Sequence, residues 1–279
     1  MLKTSKYTCA LVLTFVLAAS VLAEEAAQPD KPSYGAAVSV LSKYVWRGAV
    51  VSDDAVLQAE GWVQYKGFKF DTWNNIDLTD DRVTAYQLNE TDWTLSYGFP
   101  LGPTEIGVGY IYYTFPNLHI EDTQEVYASV AFDVMLSPSL TVYYDCDEVN
   151  GFYANGAVTY SVPLVKAAAE GDGVNVDLGM SVGYGDSGYI GGCFGDVGAG
   201  LVDLVLSCKV PLKVGERVSV TPQVSYMQVI DKDLRDDYKF NNLIREAYLD
   251  VYFKSLPLTL RIGKQQVVWG ETDGFRMLD

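Results

Sequence analysis

The chain holds one histidine, His119, and four cysteines, so few residue types are present for covalent or metal chemistry. Nucleophilic catalysis by serine needs a base within reach of the hydroxyl and a third group to orient it. His119 stands in a polar segment, 117–124, with no such partners identifiable, and reads as a solvated loop residue. Glu90 and Asp92 lie two apart, a spacing that puts both carboxylates on one face of a strand. Glycoside hydrolysis uses paired carboxylates, but two polar residues facing the inside of a barrel explain the spacing more simply. Asp145, Asp147 and Glu148, and again Asp231, Asp233, Asp236 and Asp237, offer oxygen ligands to divalent cations. Neither group has EF-hand spacing, so weak surface binding is the most they imply. Gly185–Gly200 lacks the Lys-Ser/Thr that follows the glycines of a phosphate loop and reads as a flexible outward loop. These residues indicate no enzyme, no cofactor and no dedicated metal centre.

The charges that remain are those expected to face inward from strands. Arg47 ends an inward-pointing series that includes Lys43, while Glu60, Glu90, Asp92, Glu105 and Asp133 project from predicted inner faces. Charge inside a barrel requires a partner. Two readings stay open: salt bridges that fill a narrow lumen, or a constriction that selects ions. If a pore is open, the excess of inward acids predicts a preference for cations.

The elements that must position these residues are strands. The chain has 279 residues, 20 Tyr and 25 Gly, with 49% hydrophobic residues. From Tyr34 onward, segments of about ten residues alternate in polarity with period two. Val174, Val176, Leu178, Met180, Val182 and Tyr184, for example, alternate with Asn175, Asp177, Gly179, Ser181 and Gly183. About twelve segments begin near Tyr34, Val56, Phe68, Tyr86, Glu105, Glu125, Leu140, Phe152, Val174, Leu201, Val218 and Ile244, and a thirteenth begins near Leu258. Strands of this length cross a bilayer when tilted. No helical period of useful length interrupts them, apart from one turn's worth at Val165–Glu170.

The connections alternate in kind. Lys66–Gly67, Pro100–Pro103, Leu136–Ser139, Pro211–Glu216 and Lys254–Pro257 are short, and Pro163–Gly173 belongs with them but is longer, whereas Ser52–Asp54, Asp77–Arg82, Asn117–Gln124, Asp145–Gly151, Gly185–Asp196 and Ile230–Asn242 are acidic. A barrel whose rims face different compartments predicts this asymmetry, and aromatics near segment ends, such as Tyr44, Trp46, Tyr65 and Trp93, suit interfacial girdles. The expected fold is therefore all-β: an antiparallel up-and-down transmembrane β-barrel of about twelve strands. A secreted or periplasmic β-sandwich or lipocalin-like barrel is the alternative.

Composition narrows the partners. With 36 acids against 20 bases the net charge is −16. Nucleic acid is excluded as a partner because phosphates require a basic face. Lys3, Lys6, the apolar run from Cys9 to Leu17 and the small residues through Ala23 form a Sec signal peptide over 1–23, with cleavage expected before Glu24. Its removal leaves 18 bases against 36 acids, a charge of −18, and three cysteines. At most one disulfide can then form, and Cys146 with Cys193 is a candidate pair, while Cys208 sits among apolar residues. The expected layout is a periplasmic segment over 24–33, the barrel over 34–268 and a tail over 269–279.

Ser42–Gly48 (SKYVWRG) resembles the Ser-x-Tyr-Val-(aromatic)-Arg-Gly stretch of the TorF-type porin family of proteobacteria, the Gcw_chp conserved hypothetical outer-membrane proteins. Gly109–Phe115 (GYIYYTF), Thr123–Ala128 (TQEVYA), Leu140–Phe152 (LTVYYDCDEVNGF) and Asp177–Asp186 (DLGMSVGYGD) are similar to it in order and spacing. The likeness runs over about residues 34–230 and implies an outer-membrane barrel of porin type with no catalytic residues to transfer. Residues 245–279 (REAYLDVYF, then LRIGKQQVVWGETDG) are instead similar to part of a different, larger outer-membrane barrel family, and the chain does not end in the aromatic that usually closes such a barrel.

The combined expectation is a Sec-exported outer-membrane channel for passive diffusion of small solutes, cation-preferring if open. Its partners would be lipid and lipopolysaccharide, the barrel-assembly machinery, small solutes and, at the acidic loops, weakly held divalent cations. A non-conducting structural or adhesive barrel whose acidic loops bind a partner or divalent cations is the runner-up.

Overall fold

The computed structural model describes residues 31–41, 43–79, 84–165, 173–195, 198–214, 218–230, 244–253 and 258–264. The expected leader, residues 24–30 of the 24–33 segment, residues 166–170 of the expected 165–170 turn, the acidic segment 231–242 and the 269–279 tail lie outside them.

Sixteen β-elements and one helix occur among the described residues. They are β1 (Ser33–Leu41), β2 (Tyr44–Trp46), β3 (Ala49–Ser52), β4 (Val56–Tyr65), β5 (Phe68–Asp77), β6 (Leu88–Leu101), β7 (Thr104–Thr114) and β8 (Thr123–Phe132). After them come β9 (Ser139–Asp145), β10 (Phe152–Val165), β11 (Val174–Gly185), α1 (Ser187–Phe194), β12 (Gly200–Lys209), β13 (Leu212–Val214), β14 (Val218–Val229), β15 (Ile244–Phe253) and β16 (Leu258–Lys264). All thirteen segments expected from period-two alternation are strands.

Fourteen of these strands share one sheet, in the order β12-β11-β10-β9-β8-β7-β6-β5-β4-β1-β16-β15-β14-β13, and β12 also pairs with β14. Neighbours in sequence are neighbours in space, and the pairs are antiparallel with one exception. β1 runs parallel to β16, with Ala36 opposite Leu258 and Val40 opposite Ile262. Thirteen strands that alternate in direction bring the last one back pointing the same way as the first, so their pairing cannot be antiparallel. Two-residue turns help to hold the register. Lys66 (φ 47°) and Gly67 (φ 80°) join β4 to β5 with the paired positive φ that suits the twist of a hairpin.

The faces of the sheet are reversed relative to a sheet with an apolar core. In β9, Leu140, Val142 and Tyr144 are 45%, 38% and 38% exposed, whereas the alternating Thr141, Tyr143 and Asp145 are 4%, 1% and 3% exposed. Phe70 lies outward in β5 while Asp71, Trp73, Asn75 and Asp77 are buried, and Leu178 and Met180 lie outward in β11. An ordinary one-sided sheet in water buries its apolar face and solvates the polar one.

Two elements depart from the expected pattern. The series that includes Lys43 and ends at Arg47 is not a continuation of the first strand. That strand ends at Leu41, and β2 and β3 form a separate two-stranded sheet. The turn between them, Arg47 (φ 42°) and Gly48 (φ 88°), again has two positive φ values, and a glycine adopts the second without strain. The Gly-rich segment after β11 is no open loop either. It forms α1, capped by Asp186, whose carboxylate accepts from the Tyr189 N–H, and ended by Gly195 at φ 73°. Tyr189, Ile190 and Phe194 of α1 are buried in a cluster with Ile111, Tyr113, Tyr143, Tyr153, Val202 and Val229 of the strands. A second cluster joins Leu41, Tyr44, Val56 and Trp73.

Candidate functional site

The β2–β3 hairpin carries the centre of the buried interior. Arg47 is fully buried, and its guanidinium donates from Nη1 to Glu125 Oε1 at 2.7 Å and from Nη2 to Glu125 Oε2 at 2.9 Å. Tyr113 donates to the same carboxylate at 2.7 Å. The guanidinium lies 3.8 Å from the ring centre of Tyr143, 4.5 Å from that of Trp46 and 5.1 Å from that of Tyr153. A planar cation with a forked set of donors is suited to both a carboxylate and aromatic faces. Tyr153 in turn donates to Asp203 at 2.8 Å. One hairpin side chain thus links β7, β8, β9, β10 and, through Tyr153, β12.

Beside it lies an acidic pair. Glu90 accepts a hydrogen bond from Tyr44 at 3.2 Å. Asp92 is 1% exposed, and neither of its carboxylate oxygens has a hydrogen-bond partner. Its cross-strand neighbours are Trp73 on β5 and Tyr113 on β7. A third group pairs Lys69 with Asp71 at 2.7 Å and with Glu60 at 4.0 Å. A fourth is an amide ladder: Gln58 donates to Asn75 at 3.0 Å, Asn75 to Asn89 at 2.7 Å and Asn89 to Asp77 at 2.7 Å, with Thr84 also donating to Asp77.

The inward charges named from sequence divide accordingly. Arg47, Glu90 and Asp92 converge in the interior, and Glu60 reaches Lys69. Glu105 is half-buried near the start of β7. Two expectations are corrected. Asp133 is exposed in the turn after β8, because strand pairing ends at Phe132. Lys43 is 42% exposed and pairs with Asp53, because it precedes the hairpin rather than belonging to the first strand. The partner of Arg47, Glu125, was missing from the expected set although it stands on the polar face of its own strand. Asp71 and Lys69 were missing too, and their place in the alternation of β5 was the available signal. His119 is exposed in the 115–122 connection.

The Cys146–Cys193 bond does not form, since Cys193 is a free thiol on α1. The helix packs that residue, partly buried, against the aromatic cluster, where desolvation pushes the thiol up to about 12. Burial likewise holds the Tyr189 phenol well above its ordinary range. Among the described residues, no three His, Cys, Asp or Glu converge in a way that would hold a metal ion.

No protein-family model matches this chain, and no curated protein matches it. No helix among the described residues is long and apolar enough to cross a membrane, a statement that does not concern strands.

Proposed function

We propose that the chain is an outer-membrane β-barrel of porin type that passes small solutes by passive diffusion, with a preference for cations. The observation that carries this reading is the reversed burial: apolar side chains point out of the sheet along β5, β9 and β11, and charged and amide side chains are buried. That arrangement is costly in water and favourable in lipid. The pairings of β1 with β16 and of β12 with β14 support closure, since a spanning sheet cannot leave an edge in hydrocarbon. Connections at one end of the strands are mostly shorter than those at the other, the 166–173 connection being the exception, and this supports an oriented barrel. The likeness of residues 34–230 to TorF-type porins and the Sec-type leader point the same way, to export, the barrel-assembly machinery and a lipopolysaccharide-containing membrane. The acidic connections 117–124 and 145–151 would then face outward, where weak binding of divalent cations is expected.

The test is a planar bilayer measurement on the purified, folded protein, with unboiled and boiled gel mobility as the check on the barrel. Discrete conductance steps are expected. A folded, heat-modifiable protein that gives none is a non-conducting barrel. That second reading has an observation in its favour: β2–β3 and α1 both fold into the interior, burying Tyr44, Arg47, Tyr189 and Ile190 there.

A further inference from the structure

The buried interior holds more negative charge than its own bases neutralise. Seven carboxylates are buried among the described residues, against Arg47 as the one buried base. Arg47 is committed to Glu125 through both terminal nitrogens. Lys69 is committed to Asp71. Asp92 stands two residues from Glu90 on β6 and is 1% exposed, yet both of its oxygens lack a donor. An uncompensated buried carboxylate is costly and is found where something else balances it.

We propose that Asp92 and Glu90 form a binding site for a single monovalent cation, of the alkali-metal type, inside the sheet beneath the β2–β3 hairpin. Two carboxylates two residues apart on β6 supply hard oxygen ligands. Tyr44 of the hairpin donates its hydroxyl to Glu90 and so joins the hairpin to the pair. Trp73 and Tyr113 stand across from Asp92 on the neighbouring strands. Among the described residues no three His, Cys, Asp or Glu come close enough together to chelate a metal ion, so two carboxylates suit a singly charged ion rather than a divalent one. The inference deepens the channel reading: it names the place in the lumen where a cation is preferred over an anion. It rests on that reading for the route of entry and not for the chemistry of the site.

The test is thermal unfolding of the detergent-folded protein in KCl and in N-methyl-D-glucamine chloride at equal ionic strength, which holds screening constant. K⁺ is expected to raise the midpoint of the wild type above its value in the bulky cation. Asp92→Asn is expected to lose that K⁺-specific shift and to melt higher than the wild type in N-methyl-D-glucamine, because the unpaired charge is gone. Glu121→Gln, at an exposed position, is expected to keep the shift. A wild type with no K⁺-specific shift, or a shift that survives in Asp92→Asn, overturns the site. A wild type indifferent to K⁺ but stabilised on acidification would show that a proton neutralises the pair, which also overturns it. Conductance is measured separately, so a protein that never conducts but shows the shift loses the channel reading and keeps the site.

Discussion

Arg47 and Glu125 are the pair on which the interior depends most. Removing one member of a buried ion pair leaves the other charged and unsolvated, at a cost of about 3–5 kcal/mol. Arg47→Ala should therefore lower unfolding stability by that amount, measured by denaturant titration of the folded protein in detergent. Arg47→Lys should fall between, because an ammonium cannot reproduce the fork or the stacking on Tyr143. A loss below about 1 kcal/mol for Arg47→Ala would place the pair with weak surface bridges and refute the interior described above. Cys193 makes a second prediction. Its thiol, raised from 9.0 to about 12 by burial, is almost wholly protonated at pH 8. The thiolate is the reactive form, so iodoacetamide should label Cys193 more slowly in the folded protein than after unfolding. The linkage has a definite sign. A pKa raised in the folded state contributes stability that is complete below about 9, the unfolded value, and is lost as pH climbs toward 12. Cys193→Ala should flatten that alkaline decline, and an unchanged slope would contradict the burial of the thiol.

At the level of elements, the hairpin and the helix depend on glycines at close approaches. Gly48 has φ 88°, and a Cβ there would sit 3.1 Å from Val202 Cγ1. Gly48→Ala should cost about 1–2 kcal/mol from backbone strain. Gly151 is tighter, since a Cβ would meet the backbone nitrogen of Tyr189 at 2.0 Å. Gly151→Ala should displace α1, read as a gain in Tyr189 solvent accessibility by fluorescence quenching. Among the strands, Val142 is at mid-strand on the outward face of β9. Val142→Arg should destabilise a lipid-embedded barrel by about 2–4 kcal/mol, seen as lost heat-modifiable mobility. A soluble sheet would tolerate that change, so an unaffected variant counts against membrane insertion. The strands themselves were legible because period two follows directly from the alternation of side chains across a pleat. The hairpin was not. Tyr44–Trp46 continues the alternation of β1, and nothing local marks the break after Leu41. The helix was hidden for a similar reason: a Gly-rich run with one capping aspartate carries little helical propensity, and tertiary contacts with Gly151 and the aromatic cluster make up the difference.

For the whole molecule, the β2–β3 hairpin and α1 both pack against the buried face of the sheet, and in the proposed channel they would narrow the lumen. Leu41 and Val56 are cross-strand partners, so a short Gly/Ser loop can replace residues 43–54 without disturbing β1 or β4. In a conducting barrel that variant should show larger single-channel steps than the wild type while keeping its gel-mobility shift. Equal steps would mean that the hairpin does not limit the pore. By itself the sequence determined the all-β class, the position of thirteen strands, the alternation of long and short connections and the polar identity of the buried face. Each of these is a local property, read from spacing and from which neighbours differ in polarity. The tertiary structure alone decided that Arg47 meets Glu125, that Asp92 meets no donor, that Lys43 and Asp133 stand apart from the interior, and that an odd strand count makes β1 and β16 parallel. Those outcomes depend on where residues 78 positions apart come together. Which side chain fills the space beside a charge is settled by folded geometry, because many sequence-distant partners satisfy the same local pattern equally well.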